Sequence, residues 1–61
     1  MNLEKLKEFR KKHGLTQTQL AKEVGVSLMT IRLWEDGISY PNQDNLGKLK
    51  KVLERQEARG E

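Results

Sequence analysis

Cysteine is missing from the sequence, and the 61 residues include only one each of tryptophan, tyrosine, phenylalanine, proline and histidine. Without cysteine no disulfide can stabilise the fold, so helix packing and capping must do so alone. A domain of this size buries only about 60% of the surface that its unfolded chain exposes, which leaves room for one small core. The absence of cysteine also suits a reducing compartment, and we expect a cytoplasmic protein.

Long hydrophobic runs are lacking as well. The N-terminal segment MNLEKLKEFRKKHG alternates charged residues with leucine and phenylalanine, so we expect neither a signal peptide nor a membrane span, and no membrane partner. The single histidine, His13, follows two lysines, and we expect it at a helix end or on the surface. The sequence has no glycine-rich phosphate loop, metal-ligand spacing or nucleophile–base pair. We therefore expect no enzyme, no metal, no cofactor and no small-molecule ligand.

Charge points weakly toward an anionic partner. Twelve Lys and Arg against nine Asp and Glu give a net charge of +3, which is compatible with binding a polyanion. Many small basic domains bind no anion, so charge alone does not decide the matter. Hydrophobic residues make up only 34% of the chain, but they recur with a regular period, which predicts a folded protein.

Apolar spacing predicts a first helix over about 3–13. Asn2 can cap its start, and Gly14 can supply the left-handed residue that ends it. The residues of its inner stripe recur at intervals of three; they are Leu3, Leu6 and Phe9.

Two short helices follow. Thr16 and Gln19 have the spacing of a capping box, which predicts a second helix over about 17–24 that ends at Gly25. Ser27 is a good N-cap for a third helix over about 28–35. Two short helices joined by a tight turn form a helix-turn-helix candidate.

A fourth helix is predicted after the extended segment that leads to Pro41. It covers about 43–55, with an inner stripe, and a polar tail over 56–61 is expected to be a frayed end. Gly47 inside it costs about 1 kcal/mol relative to alanine, which close packing against a neighbouring helix would explain. The stripe consists of Leu46, Leu49, Val52 and Leu53.

Residues 1–61 are thus expected to form one all-α domain, a compact bundle of four helices, with five as the alternative number. The third helix raises a question, because at about 100° per residue it is apolar on two sides. Ile31 is ordinary core, and Trp34 is expected to be half-buried, since indoles are seldom fully enclosed. The opposite side needs another explanation; it carries Leu28, Met29, Arg32 and Leu33.

The segment LTQTQLAKEVGVSLMTIRLWEDGISYP resembles the helix-turn-helix of the Cro and lambda-repressor type, also called the XRE type, and the resemblance covers about 6–53. It implies a lambda-repressor-like bundle and a sequence-specific regulator of transcription, more often a repressor. Its third helix would enter the major groove of double-stranded DNA. The matching positions are Arg10, Leu15, Thr16, Gln17, Leu20, Ala21, Gly25, Val26, Ser27, Ile31, Trp34, Glu35, Gly37, Pro41 and Leu46.

The resemblance also implies roles for individual residues. A structural ion pair would join Arg10 to Glu35. For Ser27, plain helix capping is the alternative to a DNA contact. The groove-facing, base-reading positions would be Leu28, Met29, Arg32 and Leu33. Contacts to the DNA backbone would come from main-chain amides and from Gln17, Thr18, Ser27, Ser39, Tyr40 and Asn42.

The groove-facing positions depart from the family pattern, in which polar side chains often bond to base edges. Apolar side chains can contact the methyl group of thymine, and only Arg32 can bond to guanine or, alternatively, to a phosphate. A homodimer on paired half-sites about 34 Å apart is one expected arrangement, and a monomer that pairs only on DNA is another. A second class of function also remains, a protein-interaction module on the same scaffold, because exposed apolar clusters often mark partner surfaces. Its surface would consist of Leu28, Met29 and Leu33.

Overall fold

A computed structural model describes residues 3–59 as a bundle of four α-helices. The expected all-α fold is confirmed, and within residues 3–59 the only further helical element is one 3-10 turn at the start. In chain order the elements are the 3-10 turn Leu3–Lys5, α1 Leu6–Lys12, α2 Gln17–Val24, α3 Leu28–Glu35 and α4 Gln43–Arg59.

The first helical segment is divided where the sequence predicts one continuous helix. Its first turn is a 3-10 turn, and α1 begins only at Leu6, where the N-cap residue Lys5 makes no side-chain capping bond. A helix start without a side-chain cap commonly tightens into 3-10 geometry. The cap expected at Asn2 lies outside the described residues. Gly14 has a φ of +69°, which is the left-handed conformation expected after this helix.

The start and end of α2 are fixed by local hydrogen bonds. The Thr16 hydroxyl accepts from the Gln19 amide at 3.0 Å, and the Gln19 side chain accepts from the Thr16 amide at 2.8 Å. Gly25 ends the helix with a φ of +89°. The carbonyl of Ala21 accepts from the amides of both Gly25 and Val26, at 2.8 and 3.0 Å. This tight left-handed turn sets the angle at which α3 leaves α2.

One apolar core lies among the helices, with α2 packed against both α3 and α4. Trp34 is only 2% exposed, so the expectation of a half-buried indole is wrong. The 3-10 turn packs against α3, and Leu3 borders the same surface groove as Trp34. The buried apolar residues are Leu3, Leu6, Leu20, Ala21, Val24, Ile31, Trp34, Leu49 and Val52.

Helix α4 continues through Arg59, so the prediction of a frayed tail from residue 56 is wrong for 56–59. Gln56 is only 6% exposed, and Arg55 Nη1 lies 3.8 Å from Glu23 Oε2 on α2. The polar end of α4 therefore lies against the rest of the bundle. Residues 60 and 61 lie outside the described residues.

His13 is the C-cap residue of α1, at the helix end where the sequence analysis expects it. Its side chain is only 9% exposed, so of the two expected positions the helix end is the observed one. Its ring lies 4.4 Å from that of Phe9, and its Nε2 lies 3.9 Å from Glu57 Oε1 on α4. The histidine therefore packs between the first and last helices.

Gly47 has open space where a side chain would begin, since a Cβ atom built there meets nothing within 4 Å. Close packing against another helix therefore does not explain this glycine. Of the expected inner stripe of α4, Leu49 and Val52 are buried, whereas Leu46 and Leu53 are half-buried.

None of the helices within residues 3–59 has the length and apolar character needed to cross a membrane.

Candidate nucleic-acid interface

The outer face of α3 is less uniformly exposed than the sequence pattern suggests. Met29 is 58% exposed and Arg32 is exposed, but Leu28 and Leu33 are half-buried. The carbonyl of Leu33 accepts from the amides of Ile38 and Ser39, at 3.0 and 3.3 Å. The following loop therefore folds back beside the end of α3. Met29 and Arg32 are the side chains of the predicted base-reading set that project most freely.

Two of the predicted backbone-contact residues serve as N-caps. The Ser27 hydroxyl accepts from the Thr30 amide at 3.1 Å and lies 2.9 Å from the Thr30 hydroxyl. Asn42 Oδ1 accepts from the Asn45 amide at 2.8 Å. Capping is thus an observed role for both residues, and both side chains stay at the surface, because Ser27 and Asn42 are exposed.

The remaining predicted backbone contacts fall into two groups. Thr18 and Ser39 are exposed, and Tyr40 is 61% exposed. The main-chain amide of Ser39 is bonded to Leu33, so it does not serve as one of the amides expected to contact a phosphate. Gln17 is half-buried, and its side chain takes part in hydrogen bonds within the protein.

Arg10 and Glu35, which the sequence analysis expects to pair, lie in contact at the base of the α2–α3 unit. Arg10 Nε donates to Glu35 Oε2 at 2.7 Å, and Arg10 Nη2 donates to Glu35 Oε1 at 3.3 Å. Arg10 Nη1 also donates to the carbonyl of Leu15 at 2.9 Å. The two side chains are only 10% and 2% exposed, so this two-bonded pair ties α1 to the end of α3 inside the protein.

The surroundings of Glu35 favour its ionised form. Burial raises the pKa of its carboxyl, but the hydrogen bonds from Arg10 and Gln17 lower it. The positive charges of Arg10 and Lys7 lower it further. The pKa of Glu35 therefore lies below its ordinary value, and the pair is charged at neutral pH.

A contact that the sequence analysis missed extends this pair to the protein surface. Gln17 Nε2 donates to Glu35 Oε1 at 3.0 Å, and Gln17 Oε1 accepts from Arg32 Nε at 3.4 Å. The bonded residues are 18 and 15 positions apart, too far for any local spacing to indicate them. The signal in the sequence is only chemical: a glutamine amide can donate to a carboxylate such as that of Glu35 and accept from a guanidinium such as that of Arg32.

The exposure of Ile38 was not predicted from the sequence either. It is 71% exposed, and it lies with Tyr40 along a groove that also involves Leu3 and Trp34. The segment that carries it has no periodicity, so no pattern could separate an outward from an inward isoleucine. Exposed apolar surface on this protein is therefore found both on α3 and in the loop that follows it.

The α2–turn–α3 geometry agrees with a comparison of the sequence with known families, in which a helix-turn-helix model matches residues 6–58. The chain belongs to the XRE-type helix-turn-helix family. The match covers most of the chain and extends from the start of α1 into the last turn of α4, so the helix-turn-helix assignment does not depend on one motif.

Helix-turn-helix relatives come from bacteria, a phage and an archaeon. The HTH-type transcriptional activator BcrR of Enterococcus faecalis is 44% identical over 50 residues, which are 82% of this chain and 24% of that protein. The cryptic phage CTXphi transcriptional repressor RstR of Vibrio cholerae is 39% identical over 51 residues, 84% of this chain and 46% of that protein. An uncharacterized HTH-type transcriptional regulator of Archaeoglobus fulgidus is 42% identical over 49 residues, 80% of this chain and 70% of that protein.

The matched segment spans about a quarter of the first of these relatives and about half of the second. All three are named as regulators of transcription. No solved structure matches the chain.

Proposed function

We propose that this chain binds double-stranded DNA in a sequence-specific manner and regulates transcription, with α3 in the major groove. The observation that carries the proposal is that α3 buries Ile31 and Trp34 while Met29 and Arg32 project from the protein. In helix-turn-helix proteins the second helix enters the groove and the first crosses the DNA backbone. The names of the relatives support the same function.

Base recognition in this proposal depends mainly on Met29 and Arg32. Met29 contacts the methyl group of thymine, and Arg32 bonds to guanine or to a phosphate. Leu28 and Leu33 border them and contribute apolar surface at the edge of the groove. Because few groups can bond to base edges, DNA shape supplies part of the sequence preference.

The DNA backbone is contacted on either side of α3. The supporting observation is that the polar groups in question are exposed, so a duplex can approach them without rearrangement of the fold. Contacts with phosphates fix the register of the protein on the duplex and carry no sequence information directly. The residues proposed for these contacts are Thr18, Ser27, Ser39, Tyr40 and Asn42, whereas the side-chain amide of Gln17 is already bonded to Glu35 and Arg32.

The regulator acts in the cytoplasm by occupying a promoter, and its usual effect is repression. One short helix contacts only one half-site, so a homodimer on half-sites about 34 Å apart raises the affinity. The exposed Ile38 and Tyr40 support a contact between two copies at the loop after α3, since exposed apolar groups commonly mark partner surfaces.

A protein-interaction module is the second candidate function. The observation in its favour is that Met29 is 58% exposed and apolar, where polar side chains are common among DNA-binding relatives. The half-buried Leu28 and Leu33 would complete such a surface. The smaller exposed area of these two leucines makes it a weaker anchor than the sequence alone suggests.

The two functions are separated by selecting bound sequences from a random DNA pool and measuring affinity for the selected site at two salt concentrations. DNA binding predicts an enriched site, and an affinity that falls steeply as salt rises because bound counterions are released. A scrambled duplex of equal length is the control for sequence preference. If no duplex binds even at low salt, the DNA-binding proposal is wrong and the interaction module is favoured.

A further inference from the structure

Gln17 lies between a buried carboxylate and an exposed guanidinium. Its Nε2 donates to Glu35 Oε1 at 3.0 Å, and its Oε1 accepts from Arg32 Nε at 3.4 Å. Glu35 is itself held by Arg10 through bonds of 2.7 and 3.3 Å. A continuous series of hydrogen bonds therefore runs from the interior of the bundle to the outer face of α3.

The chemistry of the neighbours fixes the orientation of the Gln17 amide. An ionised carboxylate can only accept hydrogen bonds, and a guanidinium can only donate them. A side chain between Glu35 and Arg32 must therefore donate on one side and accept on the other. Glutamine does both, whereas glutamate would face Glu35 with a second negative charge and methionine would offer no strong polar group.

Arg32 has an alternative partner within its own helix. It precedes Glu35 by three residues, and oppositely charged side chains at this spacing on a helix can pair directly. Here both carboxylate oxygens already accept hydrogen bonds, Oε2 from Arg10 and Oε1 from Arg10 and Gln17, so Gln17 takes one of the acceptor sites that Arg32 could use. With Gln17 in place, Arg32 bonds to the amide oxygen and stays exposed.

We propose that Gln17 is a positioning residue for Arg32. Gln17 prevents the Arg32 guanidinium from folding back onto Glu35 and holds it at the DNA-facing surface. This inference rests on the proposed function. Because Nε is bonded to Gln17, the two terminal nitrogens form the edge that meets DNA. That pair can bind two acceptors at once, whether they belong to guanine or to a phosphate.

The proposal differs in a measurable way from a direct phosphate contact by Gln17. If Gln17 acts through Arg32, removing Arg32 also removes the effect of Gln17 on DNA affinity. If Gln17 contacts DNA independently, the two effects add. A purely structural effect of Gln17 on the fold would persist whether or not Arg32 is present.

The test is a double-mutant cycle with Gln17→Met, Arg32→Met and the double variant, measured on the duplex selected by the unsubstituted chain. Arg32→Met should weaken binding about ten- to a hundredfold, and Gln17→Met should weaken it severalfold. The double variant should bind no more weakly than Arg32→Met alone. Should Gln17→Met fail to fold, Gln17→Ala takes its place in the cycle.

Thr18→Ala is the matched control, because Thr18 is an exposed neighbour in the first turn of α2 and lies outside this series of bonds. Its effect on affinity should add to that of Arg32→Met. Melting temperatures of all variants separate a loss of folding from a loss of contact. A loss with Gln17→Met that persists in full beside Arg32→Met, or no loss at all, would overturn the positioning role. Failure of the unsubstituted chain to bind any duplex would instead overturn the proposed function as well.

Discussion

The two faces of α3 differ in burial although both are apolar. On the inner face Ile31 is fully buried and Trp34 is 2% exposed, whereas Met29 on the outer face is 58% exposed. Hydrophobicity alone does not separate these residues. Their position around the helix relative to α2 and the 3-10 turn decides which are core, so the same eight-residue helix both contributes to the core and exposes a large apolar side chain.

The sharpest test of this comparison is one truncation on each face. Trp34→Ala should destabilise the protein by about 3–5 kcal/mol, because a large buried side chain leaves a cavity. For a domain of this size that is most of the total stability. Met29→Ser should change the free energy of unfolding by about 0.5 kcal/mol or less. Urea unfolding of both variants checks this, and equal losses would contradict the division into two faces.

The Arg10–Glu35 pair belongs to the inner side, so its loss should resemble a core change. Glu35→Gln should destabilise the fold by about 3 kcal/mol, since it leaves the buried Arg10 without a charged partner. The control is Glu23→Gln, which affects the more exposed pair with Arg55 and should cost about 1 kcal/mol or less. Thermal melting of the two variants distinguishes the pairs, and a Glu35→Gln protein that melts with the parent would refute the structural role.

Acid should act through the same carboxylate. The pKa of Glu35 in the folded protein lies below the ordinary value of 4.5, so its ionised form stabilises the fold. That stabilisation is complete above the unfolded pKa and is lost as the pH falls through the folded one. Urea unfolding from about pH 7 down to about pH 3 should show a decline in stability that is shallower in Glu35→Gln. Parallel declines in the two proteins would assign the acid sensitivity to other groups.

The outer face should matter for DNA preference and little for stability. Met29→Ser should relax the preference for thymine at one position of the selected site, at about 1–3 kcal/mol per lost discrimination. Sequence selection from a random pool, repeated with the variant, measures the change. The control is Ser39→Ala, which changes a proposed contact with the DNA backbone and should weaken binding to all sequences alike. An unchanged preference would exclude a base contact by Met29.

The last prediction concerns a residue outside both faces. Gly47→Ala should stabilise the protein by about 1 kcal/mol, because alanine favours a helix interior and a Cβ atom meets nothing within 4 Å. The melting temperature should rise while DNA affinity stays the same. A decrease in stability would mean that the open space beside Gly47 is needed.

Sequence patterns predicted what is decided locally. The capping box of Thr16 and Gln19, the N-cap Ser27 and the left-handed Gly25 all involve residues within a few positions of one another, and each is observed. The helical spacing of Ile31 likewise predicted its burial. These features depend on short stretches of chain, so a sequence suffices to recognise them.

Features that depend on contacts between distant segments were predicted poorly. Trp34 is buried on the helix against which the 3-10 turn packs, and Glu57 near the end of α4 contacts His13 near the end of α1. The bonds of Gln17 cross between α2 and α3. The Arg10–Glu35 pair spans 25 residues and was expected only because of the family resemblance.

The turn at Gly25 has a thermodynamic consequence. The Ala21 carbonyl holds both amides that follow α2, so the two helices form a preorganised unit. The α2–α3 connection therefore needs no ordering when such a unit binds a duplex. Because no folding accompanies binding, the heat-capacity change of association should reflect only the surface covered at the interface. Any adjustment between the two surfaces must then come from the duplex, so DNA deformability adds to the base contacts proposed for Met29 and Arg32.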